Sequence, residues 1–435
     1  MTASIGVDVS TQGVKAVAIG DGGRIAARAS AAFDEPFVPN DNPAVREADP
    51  LMWLKGTDRV MSELAARGVP VGSVPLGGSA QQHGTVYTAA DGSLSRRLSP
   101  IWMDTSARRE ADELERHFGE EMLRRTGSRA QARFAAAQIL KFSRVDPAAF
   151  GKTARIDLVS SYVCRHLTGR DEIDFSDAAG MNLLNLETGD WDRDICDYIS
   201  KDLIGKLPRV SRKSAFTGDN PATLVGCGAD RPGCAVISLG TSDVFMAAAG
   251  EDVRPANGVG HVFGNPSGGL MALVCVKNGS LARDRVRREL GVNWAFFDET
   301  AWENEVKVRG EGEQWNGGNS AVHLKSSPSP RAYPYFEEEI TPPHPATGIE
   351  ANFDWTSAAS DVKVRAIVEG QIANLYEQTR WAGTFKHIIL AGGASRSAGI
   401  RRTIERIFGA ETSVADVTDA AALGAALIAQ RNKTC

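Results

Sequence analysis

The amino-acid sequence lacks the features that mark membrane, secreted and nucleic-acid-binding proteins. No apolar run comes near the roughly 20 residues that a membrane-spanning helix needs. The 49 Lys and Arg nearly balance the 54 Asp and Glu, so no general attraction to a polyanion is expected. The six cysteines contain no Cys-x-x-Cys pair and no disulfide framework. We therefore expect a cytoplasmic protein with reduced thiols and with neither a membrane nor nucleic acid as partner.

Two common nucleotide-binding motifs are missing as well, although one glycine-rich segment is present. Residues 392–395 follow an apolar run at 387–390 and open a helical pattern at 399–408. Glycines let the backbone approach a ligand there, and the N-terminus of the following helix favours negative charge. The segment is neither a Gly-x-Gly-x-x-Gly fingerprint nor a P-loop, so neither a Rossmann nor a Walker site is indicated. A plain strand-to-helix turn is the alternative.

Two polar turns of similar composition indicate a structural unit that is used twice. The chain has 435 residues, enough for two or three domains of about 150 residues each. The turn at 10–13 lies between two β-branched apolar segments, and so does the turn at 240–243. This pattern predicts two related α/β domains that face each other. The alternative is that each turn belongs to an ordinary antiparallel hairpin, which has the same sequence pattern. A basic stretch with a proline at 207–217 indicates the boundary, which divides the chain into residues 1–214 and 215–435.

Hydrophobic spacing predicts several further elements. An amphipathic helix is expected at 50–67, a polar helix at 108–125 and a buried helix at 153–167. A strand that runs into a glycine turn is expected at 71–78. The stretch 326–343 is rich in Ser and Pro, so we expect it to be a surface excursion.

The first polar turn carries candidate phosphate and metal groups. A tight turn between strands presents several backbone N–H groups in one direction, which suits phosphate oxygens. Asp8 ends the first predicted strand and can hold a hydrated Mg²⁺ against phosphates gathered by the turn, to which Thr11 and Gln12 add donors. The alternative is that Asp8 only caps the turn. A triphosphate lying between two domains needs one such turn from each, which favours the phosphate interpretation.

Other polar segments carry groups suited to a polyol. Asp219 either starts a helix, with Pro221 in its first turn, or takes a proton from a substrate hydroxyl at the mouth of a cleft. His83 lies among small polar residues, where a polyol could accept its hydrogen bonds, although a lone histidine is more often structural. Trp102 and Asp104 add an apolar wall and an acid to the same half of the chain.

Together these segments resemble the FGGY family of carbohydrate kinases, and within it most closely the xylulose kinases. The resemblance covers nearly the whole chain and preserves the order of the motifs. The matching blocks are residues 6–12, 81–84, 100–104, 132–134, 174–183, 215–221, 238–243 and 390–395. The chain departs from the family pattern at 209–214 and 90–100, which look shorter than usual, and at 135–137, where three alanines replace a usual Thr-Gly pair.

The resemblance implies an α/β fold of two ribonuclease H-like, actin-type ATPase domains around an interdomain cleft. The first domain would bind the sugar and the second would bind ATP. The implied reaction is phosphorylation of the terminal hydroxyl of D-xylulose to D-xylulose 5-phosphate, with ATP and Mg²⁺ as cofactors. A kinase for ribulose, another ketose or glycerol is an alternative, and so is a non-catalytic sugar or nucleotide sensor on the same fold. A homodimer is compatible with the resemblance, which does not indicate one.

The resemblance also implies roles for individual residues. Asp219 would be the general base on the terminal hydroxyl, and Asp8 would position Mg²⁺, usually through water. The residues expected to hold the sugar are Gln82, His83, Asp104, Arg133, Asp219 and Asn220. Those expected to cradle the phosphates are Ser10, Thr11, Gln12, Gly240, Thr241 and Ser242. Those expected on the adenosine side are Gly392, Gly393 and Ala394.

Overall fold

Two mixed β-sheets covered by helices form the framework of the molecule. The structure is a computed structural model that describes residues 2–255, 258–302, 329–415 and 419–432 of the chain. The larger sheets have five and six strands, and the other strands form two-stranded pairs. None of the helices within these ranges is both long and apolar enough to cross a bilayer.

The strands lie in both halves of the chain. The strands up to residue 218 are β1 (Thr2–Val9), β2 (Gly13–Gly20), β3 (Ile25–Ala32), β4 (Glu47–Ala48), β5 (Leu76–Ala80), β6 (Thr85–Ala89), β7 (Ser99–Pro100), β8 (Thr153–Leu158), β9 (Glu172–Asp174), β10 (Leu184–Asn185), β11 (Asp190–Trp191), β12 (Arg209–Ser211) and β13 (Phe216–Gly218). Those that follow are β14 (Cys234–Leu239), β15 (Asp243–Ala249), β16 (His261–Gly264), β17 (Leu270–Val276), β18 (Ala332–Tyr335), β19 (Glu339–Ile340), β20 (Pro343–His344), β21 (Gly348–Ala351), β22 (His387–Ala391) and β23 (Glu411–Val414).

Fifteen α-helices of the described residues lie between and after these strands. They are α1 (Pro50–Ala66), α2 (Arg108–Phe118), α3 (Glu120–Thr126), α4 (Ala135–Val145), α5 (Pro147–Lys152), α6 (Val159–Thr168), α7 (Phe175–Ala178), α8 (Arg193–Ile199), α9 (Leu203–Lys206), α10 (Asp219–Gly226), α11 (Ser280–Glu289), α12 (Trp294–Thr300), α13 (Ser360–Thr379), α14 (Ala398–Phe408) and α15 (Ala420–Asn432). Short 3₁₀ turns lie at Ala179–Met181, Arg380–Ala382 and Gly393–Arg396.

The two large sheets share one strand order. The first is β13-β5-β1-β2-β3 and the second is β16-β17-β15-β14-β22-β23. In the first, β1 runs antiparallel to β2 and parallel to β5, which runs parallel to β13. In the second, β14 runs antiparallel to β15 and parallel to β22, which runs parallel to β23. The second sheet therefore repeats the first with β16 as an extra edge strand, and the predicted repeated unit is confirmed.

One hydrophobic cluster crosses from the first half of the chain to the second. Phe134 and Met181 of the first half and Phe263 and Met271 of the second are all fully buried members of it. A backbone hydrogen bond of 2.9 Å from Val262 N to the carbonyl of Gly127 adds to this contact. Helices and loops of the first half of the chain therefore share a core with the second sheet.

The end of the chain returns to the first sheet. α15 packs against β1, β5 and α10. The backbones approach closely there, because a Cβ added to Gly6 would lie 2.0 Å from Ala422 O and one added to Gly424 would lie 1.8 Å from Ala222 O. β13 also pairs with β5. The first sheet and its helical cover therefore take residues from both sides of the expected boundary at 214/215.

The predicted buried helix at 153–167 is wrong over its first part. Residues Thr153–Leu158 form β8, and the helix begins only at Val159. β8 pairs with β6 along its length. Pairing with a neighbouring strand therefore overrides the helical spacing of the local sequence, which is how tertiary context commonly decides such segments.

Three other predictions are adjusted by local features. The polar helix at 108–125 is split into α2 and α3 at Gly119, where the backbone has a φ of 48°. The strand predicted at 71–78 is present only from Leu76. Residues 326–328 of the expected surface excursion lie outside the described residues, and the rest of it contains the short strands β18 and β19.

We expect Gly424→Ala to lower the free energy of unfolding by about 1–3 kcal/mol, because the added methyl meets the backbone of α10. Gly151→Ala is the matched control, since Gly151 also lies in a helix but a Cβ there would meet nothing within 4 Å. The control should be neutral or gain up to about 1 kcal/mol from helix propensity. Urea denaturation measures both variants, and equal stability would contradict the close packing of α15 on α10.

Candidate functional site

The candidate site lies where parallel strands of the first sheet end. Asp8 lies at the carboxyl end of β1, Gln82 follows the end of β5, and Asp219 directly follows β13. These strands are neighbours and run parallel, so their carboxyl ends meet at one edge of the sheet. Gly240 and Gly392 follow the parallel strands β14 and β22 in the same way. Ligands of open α/β sheets bind outside such strand ends.

The first polar turn joins β1 to β2 beside the half-buried Asp8. Ser10 N and Ser10 Oγ each donate to Gly13 O at 2.9 Å, which closes the turn. β5 places Ser79 beside Asp8, and Ser79 Oγ donates to Asp8 Oδ1 at 2.8 Å. Burial raises the pKa of Asp8 to about 6, against the lowering effects of Ser79 and of Lys15. Burial disfavours the charged form of this carboxylate, and a nearby cation would stabilise that form.

Two side chains brace the first turn from neighbouring segments. Trp102 Nε1 donates to Thr11 Oγ1 at 2.9 Å, and Thr11 Oγ1 donates in turn to Gln81 Oε1 at 3.3 Å. Gln12 is exposed at the tip of the turn. The Thr11 hydroxyl is therefore engaged within the protein, which links the turn to the Trp102 segment. The role of Gln81 was not predicted, although it lies in the same short polar block as Gln82.

Asp219 begins α10 with one carboxylate oxygen engaged. Asn220 N donates to Asp219 Oδ1 at 2.8 Å, and Asn220 Nδ2 donates to the same oxygen at 3.0 Å. The described residues supply no donor to Oδ2. Burial raises the pKa of Asp219 to about 7, and the negative charges of Asp8 and Asp177 add to this rise. The side chain is therefore a base with one free oxygen and a proton affinity suited to neutral pH.

Gln82 holds Asn220 in place and is itself held by Asp177. Its Oε1 accepts a hydrogen bond of 2.9 Å from Asn220 Nδ2, and its Nε2 donates to Asp177 Oδ1 at 3.2 Å. Gln82 is only 3% exposed. Three predicted site residues, Gln82, Asn220 and Asp219, are therefore brought together. Asp177 joins them. It was not predicted as a site residue, although it lies in the matching block 174–183.

His83 presents a neutral imidazole between the two halves of the chain. Its backbone φ is +69°, which is uncommon for a residue with a Cβ. Nδ1 lies 2.9 Å from Gly180 O, and since a carbonyl only accepts, Nδ1 carries the proton and Nε2 is an acceptor. Burial and the charge of Arg133 lower the pKa of His83 well below its usual range. The ring stacks on Phe134 at a centroid distance of 4.1 Å.

Arg133 brings a cationic side chain to the same place, over the ring of Phe134. Its Nε is buried and has no hydrogen-bond partner in the described part of the chain. Burial lowers the pKa of its guanidinium, and the thiol of Cys275 acts in the opposite direction. Cys275 lies on β17, and Ser242 of the second turn is close enough to lower the pKa of its thiol. Arg133 therefore lies between the His83 segment and the second polar turn.

Asp104 is engaged within the protein, and its contacts do not support a direct role with a ligand. Its carboxylate accepts hydrogen bonds from Arg46 N at 2.8 Å, Ser106 N at 2.9 Å and Gln138 Nε2 at 2.9 Å, and also from the Ser106 hydroxyl. It is 1% exposed. These bonds tie the 44–46 segment to the 104–106 loop, so the sugar contact expected of Asp104 stays a prediction.

The second polar turn is held by a buried ion pair. Gly240 N donates to Ser242 O at 3.2 Å across the turn. The next residue, Asp243, accepts two hydrogen bonds of 2.7 and 2.8 Å from Arg283 of α11, which is 1% exposed. Gln371 of α13 accepts from the same guanidinium at 3.1 Å. Two helices therefore fix the position of the turn, and these residues were not predicted.

A cavity of about 820 Å³ opens beside the second turn. Four of the residues predicted to bind ATP line this cavity: Gly240, Thr241, Gly393 and Ala394. Trp294, 51% exposed, lies in its wall and was not predicted. Gly392 does not line the cavity. Its φ is +86° and a Cβ there would lie 2.5 Å from Leu239 O, so it lets the turn pass close to β14.

Comparison with known proteins places the whole chain in one family. Residues 3–250 match the N-terminal domain of the FGGY family of carbohydrate kinases, and residues 235–432 match its C-terminal domain. The xylulose kinase of Rattus norvegicus is 31% identical, over 97% of this chain and 87% of the rat protein. That alignment spans 489 positions, more than the 435 residues of this chain, so the rat protein has segments that this chain lacks.

Solved structures agree on the fold. A ligand-bound xylulose kinase and a gluconate kinase, both from Lactobacillus acidophilus, each give a TM-score of 0.83 at 18% identity, covering 99% of this chain and 89% of theirs. At this identity the likeness concerns the fold alone. The expected two-domain α/β fold of the actin type is confirmed, and the fold does not distinguish the two sugars.

We expect Arg283→Gln to destabilise the protein by about 3–5 kcal/mol, because Asp243 is then left buried without its charged partner. The double variant Asp243→Asn/Arg283→Gln should recover part of this loss, since no unpaired charge remains. Arg285→Gln is the control on the same helix, because its ion pair with Glu289 is exposed and should contribute less than about 1 kcal/mol. Denaturant unfolding measures the series, and an Arg283→Gln variant as stable as the control would contradict this interpretation.

Proposed function

The chain belongs to the FGGY family of carbohydrate kinases, and from this premise we propose that it transfers the terminal phosphoryl group of ATP to the terminal hydroxyl of D-xylulose, giving D-xylulose 5-phosphate. The observation that carries the proposal is Asp219, a half-buried carboxylate near Asp8 with one oxygen bound by Asn220 and no donor to the other among the described residues. The named activity of the rat relative supplies the sugar.

Asp219 serves as the general base in this proposal. Phosphoryl transfer passes through a loose transition state, so catalysis is mainly positioning and charge stabilisation, and the hydroxyl proton leaves late. Asp219 Oδ1 is held by Asn220, which directs the free Oδ2 towards the acceptor hydroxyl. A pKa of about 7 keeps the side chain ionised in much of the population at neutral pH and above.

The residues around Asp8 fit a magnesium ion that is shared with phosphates. Mg²⁺ usually takes one or two protein carboxylates and completes its shell with water and phosphate oxygens. Asp8 has one oxygen bound by Ser79, and no group of three or more His, Cys, Asp or Glu suited to a metal exists among the described residues. The donor set therefore suits a hydrated ion brought with ATP. When bound, the ion would neutralise phosphate charge.

We place ATP along the second domain. The turn Gly240–Ser242 and the N-terminus of α11 present backbone N–H groups suited to phosphates, and in this proposal Ser10–Gln12 approaches the phosphates from the first domain. The 820 Å³ cavity is large enough for a nucleoside. Trp294 offers an aromatic face in its wall, and Gly393 and Ala394 offer a close backbone on the other side.

We place the sugar beside Asp219 on the first domain. His83 Nε2 and the side-chain carbonyl oxygen of Asn220 can accept hydrogen bonds from sugar hydroxyls, while Arg133 can donate to sugar oxygens. Trp102, 42% exposed, forms an apolar wall. Gln82 supports this pocket from behind by holding Asn220. Closure of the cleft over the sugar would exclude water as a competing acceptor.

Another acceptor is the second candidate, and Arg133 is the observation that favours it. A half-buried arginine with no carboxylate partner among the described residues would suit an acidic sugar such as gluconate, which the similar Lactobacillus acidophilus enzyme is named for. A coupled ATPase assay with D-xylulose, D-ribulose, glycerol and gluconate decides between the candidates. The highest kcat/KM is expected with D-xylulose, and a preference for gluconate would replace the proposed substrate.

We expect Asp219→Asn to lower kcat by on the order of 10²-fold or more, because the amide cannot accept the hydroxyl proton. Sugar affinity, measured by calorimetry, should change little, since the amide keeps the size and the hydrogen-bonding shape of the side chain. Asp190→Asn is the control, since Asp190 is exposed on β11. Turnover like that of the wild type in Asp219→Asn would remove Asp219 from the role of base.

The pKa of about 7 for Asp219 predicts a pH dependence. The value is raised above the ordinary one, so the base form is lost as pH falls through about 7. We therefore expect kcat/KM for the sugar to fall about tenfold per pH unit below this value, since kcat/KM reports the free enzyme. Initial rates measured from about pH 5.5 to about pH 8.5 test this expectation. A rate that stays flat down to the acid end would contradict Asp219 as the titrating base.

A further inference from the structure

Asp177 lies at one end of a hydrogen-bonded chain whose other end is the proposed base. It belongs to α7 and is 0% exposed. One of its oxygens accepts from the Ser160 hydroxyl, and the other accepts from Gln82 Nε2 at 3.2 Å. Burial raises the pKa of Asp177 to about 6, while the donors Ser160 and Gln82 lower it. Both carboxylate oxygens of Asp177 are thus used within the protein, so this side chain is not placed to touch the reacting atoms.

The chain has a fixed direction from Asp177 to Asp219. An ionised carboxylate only accepts hydrogen bonds, so the NH₂ group of Gln82 must face Asp177. The carbonyl oxygen of Gln82 then faces Asn220 and accepts from Asn220 Nδ2 at 2.9 Å. The same NH₂ group of Asn220 lies 3.0 Å from Asp219 Oδ1, to which it donates.

The backbone approaches the Gln82 side chain closely at two glycines. A Cβ on Gly218 would lie 2.6 Å from Gln82 Cγ, and one on Gly180 would lie 3.4 Å from Gln82 Nε2. Gln82 is therefore packed against both segments. Rotation of its amide by half a turn keeps its shape but exchanges donor and acceptor, and would break both links of the chain.

We propose that Asp177 is a positioning residue for phosphoryl transfer: its carboxylate sets the amide orientations of Gln82 and Asn220, and thereby keeps Asp219 Oδ1 occupied and Oδ2 directed at the acceptor hydroxyl. The proposal rests on the function proposed above. It differs from the sugar contact expected of Gln82, because both ends of the Gln82 amide are used within the protein.

Asp177→Asn is the direct test, because asparagine keeps the size of the side chain but no longer dictates which end of Gln82 faces it. We expect kcat with D-xylulose to fall on the order of 10- to 100-fold, as a misdirected reacting group would cause. KM for ATP and the unfolding midpoint should stay unchanged, as they should in the Asp190→Asn control. An unchanged kcat, or a loss that comes with a lower midpoint and a higher KM for ATP, would overturn the proposal.

A double-mutant cycle separates this role from a merely structural one. If Asp177 acts through Asn220, then Asp177→Asn/Asn220→Ala has the kcat of Asn220→Ala alone, because the link is already broken. Effects that multiply would overturn the proposal. Should Asp177→Asn fail to fold, Gln82→Met breaks both links at similar volume and gives the same cycle with Asn220→Ala.

The assay of Asp219→Asn distinguishes failure of this inference from failure of the proposed function. If Asp219→Asn is inactive while Asp177→Asn has the wild-type kcat, the positioning role alone is wrong. If Asp219→Asn retains wild-type turnover with D-xylulose, the base itself is misassigned and the positioning role falls with it.

Discussion

Two like-charged carboxylates, Asp8 and Asp219, are held in one partly desolvated cleft, and the rest of the site depends on this constraint. Burial is the main reason that both pKa values are raised, and the charge of Asp8 raises that of Asp219 further. Such a pair opposes folding, because low polarity and like charge both disfavour the ionised forms. The same property makes the cleft receptive to a cation and to a hydroxyl proton.

The sheet supplies the rigidity that keeps the two acids in place. Asp8 lies at the end of β1 and Asp219 directly follows β13. These parallel strands lie on either side of β5, so backbone hydrogen bonds on both sides set the separation of the two acids. α15 then covers β1 and β5 with close backbone contacts at Gly6 and Gly424. The last helix of the chain therefore supports the first domain, and the two domains are joined by more than one crossing of the chain.

The charged side chains near the two polar turns fall into two kinds, those paired within the protein and those that keep a polar atom without a partner. Asp243 and Arg283 form a buried pair in which each charge is matched and hydrogen-bonded, and this pair fixes the second turn. In the first domain Asp219 and Arg133 each keep a polar atom for which the described residues supply no hydrogen-bond partner. Matched charges hold the scaffold, while unmatched ones mark the place where a ligand supplies the missing partner.

The sequence by itself determined the local features of this protein, and only the tertiary structure decided how distant residues share the work of the site. The two polar turns, the acid at the end of β1 and the helix start at Asp219 were predictable, because hairpins and helix termini depend on neighbouring residues. Family resemblance extended this to the fold. The uses of Asp104, Gln82, Asp177 and Trp294 were not predictable from local pattern. Gln82 meets Asp177 across 95 residues and Asn220 across 138, and such contacts exist only once parallel strands bring their ends to one edge.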